Sequence, residues 1–299
     1  MCLKPLTICN RQTQELVRVI CGSCPVCVRK RASSWSFRLV NEDFRSLSSY
    51  FITLTYDQNI VYPSTLLGEN SKCYKRHSIS HPGILKKSGY LGLIPNDLQL
   101  FFKRLRKTGQ IKGCTSEQRI KYYAVGEYGS KTERPHYHAI VFNADRERII
   151  KAWRFGNVYF GSVTGASVGY VLKYLTKECN IPKHKNDDRA RGFARMSKEL
   201  GIGYLSQAMK SWHLADLENR MYCLADDGTK MTMPRYYKEK IYNEAQKMYI
   251  GDFFRKKYDR EFIEDLEDKN YLAKKHGRDA AITAAYIRKR YLFLQKQKL

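Results

Sequence analysis

The chain has 299 residues, 43% of them hydrophobic and 13% aromatic, enough apolar side chain for one large domain or two smaller ones. Lys and Arg number 54 against 29 Asp and Glu, a formal charge of +25 that repels itself in a compact fold and calls for a polyanionic partner. Nucleic acid leads and an anionic membrane is the alternative. No apolar run approaches the ~20 residues of a spanning helix and no signal peptide opens the chain, so a soluble, intracellular protein is expected.

Taken in chain order, residues 1–33 read as turn-like and basic, ending in "RKRASS". Five cysteines fall here: Cys2, Cys9, Cys21, Cys24 and Cys27. Soft thiolates at C-x-x-C spacing suit a tetrahedral structural Zn²⁺, although "CGSCPVC" lacks the paired C-x-x-C repeat and also reads as a tight turn with buried thiols. Cys73, Cys114, Cys179 and Cys223 are scattered and read as small core residues. With nine cysteines and no secretory context, reduced thiols are expected.

"SWSFRLVNEDFRSL" has helical spacing, with Trp35, Leu39 and Phe44 able to share a face. "YFITLTYD" (50–57) is aromatic and β-branched, a strand in which Phe51 and Thr53 alternate against Ile52 and Leu54. Residues 58–94 lack a clear period and read as a long surface excursion with room for a short hairpin. "IPNDLQLFFKRLRKTG" is a helix capped at Asn96 or Asp97, with Leu98, Phe101, Phe102 and Leu105 as its apolar stripe and Gly109 as its end.

"KYYAVGEYG" (121–129) and "HYHAIVF" (136–142), joined by the polar "SKTERP", predict an antiparallel hairpin. "RERIIKAWRFG" follows as a helix, "NVYFGSVTG" as a strand and "ASVGYVLKYLTKECN" as a further helix. "PKHKNDDRARG" is a charged loop, and the remainder reads mostly helical and basic. No internal repeat is visible. Strands interleaved with helices around a hairpin predict an α+β fold. Its divisions are a basic Cys-rich segment at 1–44, a sheet domain at 45–180 and a mostly helical basic region at 181–299.

His136 and His138 alternate with Tyr137, so both imidazoles leave one face of the strand. They can share a metal, or simply sit on a solvated face. Glu127 lies nine residues before His136 and can stand beside it across the hairpin. Two nitrogens and one oxygen with open positions suit Mg²⁺, Mn²⁺ or a similar catalytic ion better than a closed structural site. In "GYVLKYLTK", Tyr170 and Tyr174 are four apart on one helical face, each followed three residues later by a lysine, Lys173 and Lys177. A phenol with a pKa near ~10 attacks poorly at neutral pH unless a metal polarises its target and a cation stabilises the charge. The plain alternative is a core stripe of Tyr170, Val171 and Tyr174 with solvated lysines.

The order of these pieces resembles the HUH endonucleases of rolling-circle replication, and the paired tyrosines look like the two-tyrosine branch. "CGSCPVCVRKRASSW", "RPHYHAIVF", "GYVLKYLTKE", "MSKELGIGYL" and "MPRYYKEKIY" together resemble the replication initiators of small single-stranded DNA microviruses of the gokushovirus type. Two departures stand out: a tyrosine fills the hydrophobic position of His-hydrophobic-His, and the carboxylate partner varies within the family. The resemblance implies a site-specific single-strand DNA endonuclease and ligase. In it His136, His138 and Glu127 hold Mg²⁺ or Mn²⁺, Tyr170 and Tyr174 form 5′-phosphotyrosine, and Lys173 and Lys177 steady the charge. It also implies the viral replicative-form origin as DNA partner, a host helicase and polymerase, and the cytoplasm of the bacterial host. Its rivals are a plasmid or mobile-element nuclease of the same chemistry and a non-catalytic nucleic-acid-binding protein.

Overall fold

The computed structural model describes residues 2–9, 11, 14, 16–57, 84, 86–87, 90–108, 111, 115, 118–130, 132–173, 181–225, 227–267 and 270–296. In chain order its elements are β1 (Leu6–Cys9), β2 (Leu16–Val19), α1 (Pro25–Asp43), β3 (Ser49–Thr55), α2 (Pro95–Thr108), β4 (Lys121–Tyr128), β5 (Pro135–Phe142) and α3 (Arg146–Ala152). There follow β6 (Val158–Gly161), α4 (Gly165–Lys173), β7 (Phe193–Met196), α5 (Gln207–Leu214), β8 (Tyr222–Leu224), β9 (Lys230–Thr232), α6 (Arg235–Ile241), α7 (Glu244–Glu267) and α8 (Tyr271–Lys296). The fold is α+β, and no helix among the described residues is long and apolar enough to cross a membrane.

The chain divides into two compact units, residues 38–202 and residues 1–37 with 203–299. The first is built on a five-stranded sheet in the order β6-β3-β5-β4-β7, every neighbour antiparallel. One face is the core. Ile52, Leu54, Ala124, Tyr137, Ala139 and Val141 pack there against Leu98, Phe101, Phe102 and Leu105 of α2 and Ile149 and Ala152 of α3. Tyr137 is fully buried because its hydroxyl has partners. It accepts the Ile94 N–H at 2.9 Å and lies 2.9 Å from the Tyr56 hydroxyl, which donates to Asp97 at 2.6 Å. A phenol is therefore accommodated where an aliphatic side chain would be simpler. Asp97 accordingly sits in the first turn of α2 as a buried acceptor, and the helix opens on Pro95, whose missing N–H costs nothing at that position. Gly109, expected to end this helix, lies outside the described residues.

Most of 58–94 lies outside the described residues. Ile84 and Leu93, however, belong to the core and not to the surface, tied by the Gly92 N–H to the Ile84 carbonyl at 2.7 Å. β7 arises where the sequence suggested loop and helix. Phe193 pairs with Gly126 of β4, and a Cβ there would come within 3.0 Å of the Phe193 ring.

The second face of the sheet carries Lys121, Tyr123, Val125 and Glu127 of β4 opposite Phe142, Ile140, His138 and His136 of β5. At its far end Lys121 forms a 2.7 Å ion pair with Glu42, both nearly buried, and Glu42 also accepts the Gly201 N–H at 2.8 Å. Gly201 has φ +72° and lies so close to Arg38 that a Cβ would fall 2.6 Å from its carbonyl oxygen. Removing one partner of a buried pair strands the other charge. Lys121→Met is thus expected to lower the unfolding free energy by about 3–5 kcal/mol. A change near zero in urea unfolding would show that Glu42 is solvated.

In the other unit, Phe37, Leu205, Cys223, Met233, Tyr237, Ile241, Tyr242 and Ile250 form the core. His213 is a satisfied core histidine: Nδ1–H donates to the Arg220 carbonyl at 2.7 Å and Nε2 lies 3.0 Å from the Tyr204 hydroxyl. Helix α1 begins at Pro25, nine residues before the sequence suggested, and Phe44 falls beyond its end, almost fully exposed.

Candidate functional site

The site is assembled by strand register. Glu127 stands directly across from His136, and His138 lies two residues on, level with Val125 on β4 and Thr53 on β3. Glu127 Oε1 lies 2.8 Å from His136 Nε2 and 2.9 Å from His138 Nε2. Glu127 and His138 are buried, His136 partly so. Burial alone would raise the Glu127 carboxyl, but hydrogen bonds from both imidazoles outweigh it and hold the carboxyl below its ordinary value. Burial pushes His138 down, against the opposing pull of Glu127.

The outer nitrogens are fixed as well. His136 Nδ1–H donates to the Arg134 carbonyl at 3.0 Å, and His138 Nδ1 lies 2.9 Å from Thr53 Oγ1. A carbonyl can only accept, so this contact makes Nδ1 the N–H donor and leaves Nε2 directed at Glu127. The donor set fits a divalent metal. The three ligand atoms lie within 4.8 Å of one another, and each histidine directs its other nitrogen to an oxygen, as metal-bound imidazoles do. Metal bonds of about 2.1 Å at right angles also give a ligand–ligand edge of about 3 Å, close to the observed separations.

Helix α4 packs against β5. It is capped by a reciprocal pair, Ser167 N–H to Thr164 Oγ1 at 3.2 Å and Thr164 N–H to Ser167 Oγ at 2.7 Å. The Tyr170 ring stands edge-on to His138 at 5.1 Å and to Phe51 at 6.1 Å, while Phe51 stacks on His138 at 5.6 Å. Lys173, on the same helix, is exposed. Tyr174 and Lys177 lie outside the described residues. Of the sequence-derived set, the structure therefore brings together Glu127, His136, His138 and Tyr170. Thr53 and Phe51 also belong to the site and were not singled out. Their signal was the alternation in "FITLTYD", which needs the β3–β5 register before it points anywhere.

Beside His136 opens a cleft of ≈ 440 Å³ lined by Thr55, Tyr56, Asp57, Arg134, Pro135, Asn157 and Tyr159. Gly156, next to the lining residue Asn157, has φ +153°, and a Cβ there would fall 2.3 Å from the Thr55 carbonyl oxygen.

The cysteines form a second group. Cys2, Cys21, Cys24 and Cys27 bring their sulfurs within 4.8 Å of one another. Cys9 does not join them, because it ends β1 at the turn side of the hairpin, paired with Leu16 and exposed. Cys223 is in the core, and Cys73, Cys114 and Cys179 lie outside the described residues.

Residues 49–179, from β3 through α4, match the family of replication-associated proteins of the ORF2 type. The chain is 26% identical over 263 residues to Replication-associated protein ORF2 of Spiroplasma virus 4, covering 81% of this chain and 73% of that one. It is 28% identical over 239 residues to Replication-associated protein VP4 of Bdellovibrio phage phiMH2K, covering 73% and 66%. To Replication-associated protein ORF4 of Chlamydia phage 1 it is 24% identical over 245 residues, covering 73% and 52%. No solved structure matches. Residues 49–179, which hold Glu127, His136, His138 and Tyr170, thus match a family of replication-associated proteins, and all three relatives are replication-associated proteins as well.

Proposed function

We propose that the protein initiates rolling-circle replication of a small single-stranded DNA phage by nicking and rejoining DNA at the viral origin. The observation that carries this reading is Tyr170 set 5.1 Å from His138, on the same face as His136 and Glu127. Glu127, His136 and His138 would hold Mg²⁺ or Mn²⁺, which when bound polarises the scissile phosphate. Thr53 and the Arg134 carbonyl keep the imidazoles turned toward that position.

The tyrosine oxygen attacks phosphorus and the bond to the 3′-oxygen breaks. The phenolic proton is lost and one proton is gained by the departing 3′-hydroxyl, leaving a 5′-phosphotyrosine. That hydroxyl primes synthesis. In the reverse step a 3′-hydroxyl attacks the phosphotyrosine, frees the phenol and restores a phosphodiester, so joining needs no ATP. Tyr174 is the second nucleophile, needed because the first remains esterified while the regenerated origin is cut. Lys173 and Lys177 lie near enough in sequence to offset charge on the phosphate. The host's helicase and polymerase, in the bacterial cytoplasm, would extend the primed end.

The test is incubation of the full chain with single-stranded DNA carrying candidate origin sites and Mg²⁺ or Mn²⁺, followed by a denaturing gel. A protein–DNA adduct that needs the metal is expected; binding with no adduct at any origin site would leave only a DNA-binding protein. The charge of +25 sets a further expectation. Neutralising six or more phosphates costs roughly 10³-fold in affinity between 50 and 200 mM salt. Affinity flat over that range would assign the charge to solubility.

A further inference from the structure

Hairpin β1–β2 has four residues in each strand, and nearly all of them are exposed. Leu6, Ile8, Leu16 and Val17 are among the exposed apolar residues. A two-stranded hairpin without a covered face is marginal in water, so something other than a core must fasten it. At its open end stand four sulfurs. Cys2 precedes β1, Cys21 follows β2, and Cys24 and Cys27 sit at the start of α1.

The sulfur separations are those of a metal-thiolate tetrahedron. Cys2 Sγ lies 3.5 Å from Cys21 Sγ and 3.8 Å from Cys24 Sγ, and Cys21 Sγ lies 4.0 Å from Cys27 Sγ. Zinc–sulfur bonds of about 2.3 Å in a tetrahedron place the sulfurs about 3.8 Å apart. A disulfide would bring two of them to about 2 Å.

Backbone amides are already aimed at the sulfurs: the Cys21 N–H at Cys2 Sγ (3.4 Å) and the Cys24 N–H at Cys21 Sγ (3.3 Å). Gly22, at φ +74°, makes the tight step between Cys21 and Cys24. Cys24 and Cys27 also sit at the N-terminal end of a 19-residue helix, whose positive pole attracts the net negative charge of a four-thiolate metal site.

We propose that Cys2, Cys21, Cys24 and Cys27 hold one structural Zn²⁺ that fastens the base of hairpin β1–β2 to the first turn of α1. Four thiolates select a soft, tetrahedral ion over Mg²⁺ or Mn²⁺. The site has no open position, so its role is to fold this segment and not to cleave DNA. The choice among five candidate cysteines follows from the hairpin: a ligand at its open end reaches the helix, and Cys9 at the other end does not.

The full chain, purified under reducing conditions, is expected to carry about one tightly held Zn²⁺ by elemental analysis. Cys9→Ser and His136→Ala/His138→Ala should keep it, whereas Cys21→Ser and Cys24→Ser should lose it. Replacement by Co²⁺ should give the intense visible and near-ultraviolet bands of a tetrahedral thiolate site, and removing the metal should speed amide hydrogen exchange across residues 6–9 and 16–19. The wild-type cobalt spectrum and the Cys9→Ser zinc content decide the matter even where a ligand variant fails to fold. Three results would overturn the proposal: a zinc-free wild type with no thiolate bands on cobalt addition, loss of zinc in Cys9→Ser, or a disulfide among the four in peptide maps of the native protein.

Discussion

Replacing Tyr170 and Tyr174 together by phenylalanine is expected to eliminate the covalent protein–DNA adduct, while either single replacement leaves initial cleavage measurable. Tyr170 is held at the histidine face by Phe51 and His138, and Tyr174 follows four residues later in sequence. Each phenol has a lysine three residues on in sequence, so on the proposed mechanism either makes the first attack. Neither single variant should close a circle, because a second phenol is needed while the first carries DNA. Packing roles predict a different outcome. Phenylalanine keeps the ring and its buried area, and losing a hydroxyl hydrogen bond costs only about 1 kcal/mol. Complete circle closure by either single variant would remove the two-nucleophile mechanism.

His136→Ala/His138→Ala is expected to reduce nicking by about a thousandfold or more, the equivalent of roughly 4 kcal/mol of lost phosphate polarisation. Origin binding should persist, because affinity comes mainly from lysines and arginines on phosphates. The two quantities are separable by an electrophoretic shift assay and a nicking assay on the same preparation. Nicking at the wild-type rate with metal present would show that the histidines serve the sheet and not the reaction. Glu127 is buried against both of them. The double variant leaves its carboxylate without either imidazole, and some loss of stability accompanies the loss of rate. Thermal unfolding of the variant separates the two effects.

The central hairpin was legible because its signal is local. Tyr137 faces inward between two histidines, and the nine-residue spacing of Glu127 and His136 fits a hairpin with a short turn. Helix α2 was legible for the same reason, its apolar residues recurring at three and four. The features that escaped depend on distant partners. β7 is two half-buried and two exposed residues whose strand character comes from pairing with β4 and from the space left at Gly126. Thr53 acquires meaning only once β3 and β5 are aligned and its hydroxyl meets His138. β1 and β2 bury almost nothing, so no alternation separates a core face from a solvent face and the segment reads as turn. Leu200 and Gly201 in "LGIGYL", which suggested no chemistry, receive Arg38 on the Leu200 carbonyl at 2.9 Å and place the Gly201 N–H on Glu42. Their role there is structural.

The most direct measurement is mass spectrometry of the peptide that carries DNA after the full chain has cleaved a single-stranded origin in the presence of Mn²⁺. The nucleotide is expected on the peptide containing Tyr170 and Tyr174, through a 5′-phosphate on a phenolic oxygen, and absent when metal is withheld. A nucleotide on a tyrosine elsewhere in the chain, or cleavage that leaves no covalent intermediate, would contradict the account.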